Sequence, residues 1–296
     1  RLGAAVAAYQ TSRQLAPQDA DTHSNLLVAE NYLPENTPQL LFEKHRAWTR
    51  EHTADVIAVR HRCLADPERR LRIGYVSPDF RTHPVAYFFF GLLKQHDRKA
   101  VEVTCYNNAK RPDRTTGQIQ QLADRWRDVR QWSDARLTEA IVEDDIDILV
   151  DLAGHTAGNR LTVFAAKPAP VQVSFLGYPN TTGLESIDYR LTDAIADLPH
   201  EQRTYSETLL QLPGPFCCYA PPDIALEISP LPADTSGEIT FGSLHNLAKL
   251  NAQVIDAWSD ILRRVPRSRL LIARSTLTRS CQERLKAEFS QRGIVG

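Results

Sequence analysis

Over residues 1 to 67 the apolar positions repeat at helical spacing. Ala4, Ala5, Val6, Ala8, Tyr9 and Leu15 lead into the turn Ala16-Pro17-Gln18-Asp19-Ala20, after which Leu26, Leu27 and Tyr32 continue an apolar face. Pro34 to Pro38 interrupts the pattern, and Leu40 to Val59 reads as a further amphipathic helix with Trp48 on its apolar side. A short polar linker, Asp66 to Arg70, precedes a change of period. Leu71, Ile73, Tyr75 and Val76 form a short run of β-branched and aromatic character, as a buried parallel strand does, and it stops at Ser77-Pro78-Asp79. Pro84 then takes a first-turn helical position with the apolar run Val85 to Leu93 behind it, which places His83 at a strand-to-helix turn.

The alternation continues to residue 215. Val101 to Tyr106 reads as a strand, Ile119 to Trp126 and Leu137 to Glu143 as helices, and Ile146 to Leu152 and Val171 to Leu176 as strands. This order predicts a parallel sheet with helices on both faces. Three polar turns follow strands at their carboxyl ends: Phe80 to His83, Gly154-His155-Thr156-Ala157-Gly158-Asn159-Arg160, and Gly177-Tyr178-Pro179-Asn180-Thr181-Thr182-Gly183. Ligands of open α/β sheets bind at that edge, so three such turns meeting on one rim point to a ligand site. Singly, each also reads as a helix cap or a tight turn. Asp188 and Asp193, flanking Tyr189 to Leu191, read as structural caps.

Residues 216 to 237 hold Pro221, Pro222, Pro230 and Pro232 with few periodic apolar positions, which describes a linker. A second α/β unit starts at Glu238, with strands over Glu238 to Gly242 and Leu270 to Ala273. Its helices are expected over Val254 to Val265 and Cys281 to Phe289, with Asn251 as the first N-cap. The loop Ser243 to Lys249 carries Asn246 and Lys249 just before a helix N-terminus. Free backbone N–H groups, the helix dipole and an ammonium together favour a phosphate there. A solvated surface lysine has the same sequence signature.

Composition narrows the classes. The 296 residues, 42% hydrophobic and 24% charged, suffice for two soluble domains. A net charge of −1 without like-charge blocks argues against a nucleic-acid surface or a polybasic membrane patch. No apolar run approaches the roughly 18 residues of a membrane span. The five cysteines, Cys63, Cys105, Cys217, Cys218 and Cys281, are odd in number and lack CxxC spacing, so reduced thiols, a cytoplasmic location and no metal site are expected. The chain contains no methionine and opens within a helical pattern at Arg1-Leu2-Gly3. It therefore reads as a piece of a longer product, or as one from which modified methionines have dropped, shortening the apparent spacings.

The first segment, AxxxYxxxxxLxPxDxxxxxNLL, resembles the end of a tetratricopeptide repeat, a unit that cannot bury its own apolar face; it is expected both to pack on the chain after it and to have lost upstream repeats. RIGYVSPDFRTHPVAYFF, DILVDLAGHTAGNRLTVFAAKPAPVQVSFLGYPNTTGLESIDYRLTD, LPGPFCCY and ITFGSLHNLAKL resemble the catalytic region of the O-linked N-acetylglucosamine transferase family, SPINDLY-like and bacterial members included. That resemblance covers about residues 70 to 296. It implies an α/β fold of two facing Rossmann-like lobes, the GT-B glycosyltransferase type, preceded by tetratricopeptide-like helices. The helical segment is expected over 1–67, the N-terminal catalytic lobe over 68–215, the linker over 216–237 and the incomplete start of a nucleotide-binding lobe over 238–296.

The implied activity is inverting, metal-independent transfer of N-acetylglucosamine from UDP-GlcNAc to serine or threonine hydroxyls of proteins or peptides bound along the repeats. The implied catalytic residues are His83, as proton acceptor, and Lys249, at the donor diphosphate. Donor binding is expected of Asn246, Lys249, His155, Gly177, Tyr178 and Pro179, with no cofactor and no metal. Asn246 stands where animal members have glutamine, and His155 where they have tyrosine. Gly154-His155-Thr156 is similar to SPINDLY-type members, which keeps transfer of fucose from GDP-fucose open as an alternative. A noncatalytic peptide-binding scaffold and an epimerase of similar architecture are the competing classes. The latter would need carboxylates in the cleft.

Overall fold

A computed structural model describes residues 2–61, 66, 68–219, 221 and 227–295. Cys63, and residues 220 and 222–226 of the expected linker, lie outside the described residues. Cys105, Cys217, Cys218 and Cys281 are free thiols. The chain divides into two compact units, Gly3–Pro221 and Pro222–Gly296. No helix among the described residues is long and apolar enough to cross a membrane.

Three helices open the first unit: α1 (Leu2–Leu15), α2 (Ala20–Glu30) and α3 (Pro38–His52). Asp19 caps α2, its Oδ1 accepting from Thr22 N at 3.1 Å, and Thr37 caps α3 with Pro38 behind it. Helix α3 stops at His52, seven residues short of the expected end. The reason is an alternative partner for the backbone: Val59 N donates to Ala166 O at 2.9 Å, so the segment after α3 runs against the sheet-bearing region. Ile57 is left exposed.

The sheet comes next. Its elements are β1 (Leu71–Ser77), α4 (Pro84–Gln95), β2 (Val101–Asn107), α5 (Arg114–Leu122), β3 (Arg125–Asp128), α6 (Asp134–Glu143) and β4 (Ile148–Asp151). Then come α7 (Leu161–Ala165), β5 (Val171–Ser174), β6 (Tyr189–Asp193) and β7 (Thr208–Leu212). All seven strands are parallel in the order β3-β2-β1-β4-β5-β6-β7. The connectivity reverses between β1 and β4, where Val76 pairs with Asp151, so the crevice beyond these two strands is the topological switch point of the fold. The helix expected over Ile119 to Trp126 begins instead at Arg114, behind a capping box of Asp113 and Thr116, and ends at Leu122. Trp126 belongs to β3 and packs near Phe80 at 5.9 Å. Strand β7 was not expected. It is an edge strand of alternating exposure, whose period is weakened by polar residues.

One core face joins Leu27 and Trp48 of the helices to Leu149, Leu161, Phe164, Leu184 and Ile187. The opposite face buries Tyr75, Phe80, Phe89, Leu93, Val103 and Val173. Trp48 is 1% exposed, and its loss to alanine should cost about 3–5 kcal/mol by the usual large-to-small cavity rule. The helices are thus docked on the sheet-bearing region, as a lone repeat requires.

The second unit contains α8 (Pro232–Ser236), β8 (Ile239–Ser243), α9 (Ala252–Arg264), β9 (Ser268–Ile272) and α10 (Arg279–Ser290). Its two strands are parallel, and its small core centres on Leu250, Ile255 and Leu285.

Candidate active site

The turn after β1 is built from its own polar groups. Asp79 N donates to Ser77 Oγ at 3.0 Å, and Arg81 N to Asp79 O at 2.7 Å. Thr82 N donates to Asp113 Oδ2 at 2.7 Å, a contact that pulls the Asp113 pKa down to about 2. His83 occupies the N-cap of α4 in extended conformation, with Val85 N donating weakly to its Nδ1 at 3.4 Å. Asp79 Oδ2 lies 3.5 Å from the same Nδ1, and Arg81 pairs with the other carboxylate oxygen at 3.3 Å. Burial lowers the His83 pKa against the opposing pull of Asp79, while burial raises Asp79. The imidazole is therefore neutral near pH 7. Among the described residues no hydrogen bond engages its Nε2, and the side chain is 32% exposed. The two neutral tautomers differ in use: with the proton on Nδ1 the weak cap from Val85 N is given up, Nδ1–H faces the Asp79 carboxylate, and Nε2 is left as a base.

The turn after β4 is pressed against both neighbours. Asp151, fully buried, accepts from Ala153 N and Gly154 N, and burial pushes its pKa up to about 6. Gly154 has φ +53°, and a Cβ there would sit 2.2 Å from Tyr178 Cβ; at Gly158, φ +81°, it would meet Pro78 Cβ at 3.1 Å. His155, expected at the donor, has its side chain inside the fold. It is completely buried, with Nδ1 on Ser24 Oγ at 3.0 Å and Nε2 on Thr182 O at 2.8 Å. Its ring meets Trp48 and His45 edge-on, at 4.9 and 5.0 Å. Burial holds its pKa well below 6.5. Both ring nitrogens face protein groups, so the His155 side chain pins the helices to the sheet-bearing region.

The Gly-Tyr-Pro turn shares this role. A Cβ on Gly177 would overlap Leu152 O at 1.8 Å, so only glycine fits between the two turns. Tyr178, also expected on the rim, is 3% exposed; its hydroxyl accepts from Asn31 Nδ2 at 2.8 Å and lies 2.7 Å from His45 Nε2. Gly177 is half-buried and Pro179 exposed, leaving these two at the surface. Beneath the turn, Arg190 donates to Tyr178 O and Asn180 O and pairs with Asp197 at 2.9 Å. Buried Glu207 accepts from Thr181 Oγ1 at 2.6 Å and Thr182 N at 2.7 Å.

In the second unit, Asn246 caps a single 3-10 turn, Leu247–Lys249, through Ala248 N at 3.1 Å. Asn251 caps α9 through Val254 N at 3.0 Å, as its sequence position predicts. Lys249 is exposed one residue from Leu250 and three from the start of α9, and it joins no ion pair among the described residues. Asp79 carries a sequence signal for its place beside His83 only in its i,i+4 spacing, at the end of the Ser77-Pro78-Asp79 turn. Asn31, His45 and Ser24 carried no signal, because their partners lie more than a hundred residues away.

Residues 45–219 match the sequence profile of glycosyl transferase family 41. A tomato (Solanum lycopersicum) protein described as a probable UDP-N-acetylglucosamine–peptide N-acetylglucosaminyltransferase SPINDLY is 41% identical over 88% of the chain. An Arabidopsis thaliana relative with the same description but named SEC is 36% identical over 70%. The structure is similar to that of a Thermobaculum terrenum O-GlcNAc transferase, solved as a lysine-to-methionine mutant, with a TM-score of 0.92 at 37% identity over 99% of the chain. The chain spans 28% of the tomato relative, 22% of the Arabidopsis one and 56% of the Thermobaculum chain. The fold is of the GT-B glycosyltransferase kind. The chain belongs to glycosyl transferase family 41.

Proposed function

We propose that the protein transfers N-acetylglucosamine from UDP-GlcNAc to serine or threonine hydroxyls of protein acceptors. The observation that carries this reading is His83, neutral, half-buried and backed by Asp79 at the switch point of a family 41 sheet. In the reaction the acceptor oxygen attacks the sugar's anomeric carbon, the bond to the donor diphosphate breaks with inversion, and the hydroxyl proton passes to His83 Nε2. Lys249 and the N-terminus of α9 stabilise the charge that builds on the leaving diphosphate. Asn246 assists at the same loop. With cationic and dipolar groups in this role, the transfer itself calls for no metal or cofactor.

The SPINDLY-type form of the Gly154-His155-Thr156 sequence keeps a second donor, GDP-fucose, as the alternative reading. The test offers the full-length protein radiolabelled UDP-GlcNAc and GDP-fucose in parallel with a serine- and threonine-containing peptide. Label on the peptide from UDP-GlcNAc supports the first reading, and label from GDP-fucose alone replaces it with the second. Absence of label from both would leave a peptide-binding scaffold. In the active case Lys249→Ala should weaken UDP binding about 10- to 100-fold, as removal of a charged hydrogen-bond donor does. Unchanged calorimetric affinity would remove Lys249 from the donor site.

A further inference from the structure

Three side chains with metal-binding atoms meet on the helical segment, in a place the transfer chemistry does not use. His23 comes from α2, and Glu51 with His52 from the last turn of α3. His23 Nδ1 lies 3.0 Å from His52 Nε2 and 3.6 Å from Glu51 Oε2, and the three ligand atoms fall within 4.8 Å of one another. His23 is 3% exposed, whereas His52 and Glu51 open toward solvent. Two facing imidazole nitrogens at this distance share one proton when both rings are neutral. A tetrahedral ion with bonds of about 2.0–2.1 Å would hold the two nitrogens roughly 3.3 Å apart, so a few tenths of an ångström of opening admits it. The carboxylate of Glu51 is held by Arg13, whose Nη2 lies 2.7 Å from both oxygens, and Asp19 stands near His52. An ion would therefore compete with Arg13 for one oxygen and gain from Asp19.

We propose that His23, His52 and Glu51 form a three-ligand site for a zinc-class divalent ion, with a fourth position left to water. Two imidazoles and one carboxylate are a donor set suited to such ions. Bound there, the ion clamps α2 to α3 beside Trp48, whose ring contacts His52 at 5.3 Å and His155 at 4.9 Å. Because His23 is separated by 28 residues from Glu51, no local motif marks the site.

The test titrates the full-length protein, free of any histidine tag and treated with chelator, with zinc chloride alone. Calorimetry should find one ion per chain and thermal melting a higher Tm with zinc. His52→Ala should weaken binding at least about 100-fold and Glu51→Gln about 10-fold, in line with loss of a ligand against loss of a charge. Copper(II) should quench Trp48 fluorescence in the wild type, with the quenching lost in His52→Ala and in Trp48→Phe. Both His52 and Glu51 are partly exposed, so circular dichroism can verify that their variants fold. Zinc affinity equal in wild type, His52→Ala and Glu51→Gln, or no binding below millimolar zinc, would overturn the site.

Discussion

His83 and His155 follow β1 and β4, two strands paired side by side at the centre of the sheet, yet their surroundings are opposite. His83 is a third open to solvent with Asp79 behind it. His155 is sealed under α2 and α3, each nitrogen occupied. The same residue in the same kind of turn can serve chemistry or cohesion. What decides is whether an element distant in sequence covers the turn.

The comparison breaks most sharply through His83→Ala. Under the proposed role of His83 as general base, this should lower kcat about 100- to 10,000-fold while leaving UDP affinity and the melting temperature near wild type. A parallel loss of donor affinity would mean that His83 binds rather than transfers. His155→Ala should do the reverse. It orphans Ser24 Oγ and Thr182 O and opens a cavity beside Trp48, so urea unfolding should show a loss of about 3 kcal/mol. If stability held while kcat fell, the pin would have to be reassigned to the site.

Acid separates the two turns on a finer scale. His23 and His45 are pulled down to about 4 and His155 well below 6.5, mainly by burial, so each is neutral in the folded protein near neutral pH. As pH falls below about 6.5 the unfolded chain takes up these protons first, and stability is lost progressively toward pH 4. Asp151, raised to about 6, runs in the opposite direction and offsets about one histidine. Stability should therefore fall as pH drops through that window, read from urea midpoints, and His45→Gln should flatten the slope. The smallest effect is Asp79→Asn. Because the Asp79 charge raises the His83 pKa, its removal should shift the acidic limb of the kcat profile to lower pH and slow transfer less than about tenfold. A limb that stays in place would show that His83 does not set it.

Much of the sheet was legible because parallel strands bury both faces and so read as short apolar runs ending at turn residues. β1 and the proline-led start of α4 were plain for this reason, as was the Asn251 cap. The boundaries of α5 were lost because its capping signal, Asp113 and Thr116, lies in a polar stretch, and because Trp126 suits a helix face as well as a strand. The rim was half legible. Strand ends located the turns, but nothing near His155 or Tyr178 announces that Ser24, Asn31 and His45 will cover them. Burial by a remote helix leaves no local pattern.

Asn31 hydrogen-bonds Asn180 across 149 residues of chain, and this long reach has a consequence during synthesis. At about 5–20 residues per second the ribosome needs roughly 7–30 s to bring Asn180 out after Asn31. Until the strands and the turn carrying Asn180 emerge, the apolar residues of α2 and then of α3, Leu27 and Trp48 among them, lack the sheet they pack on in the fold. Holdase chaperones that cover such residues would set the yield of active protein, and slowing translation between α3 and Gly183 should lengthen its dependence on them.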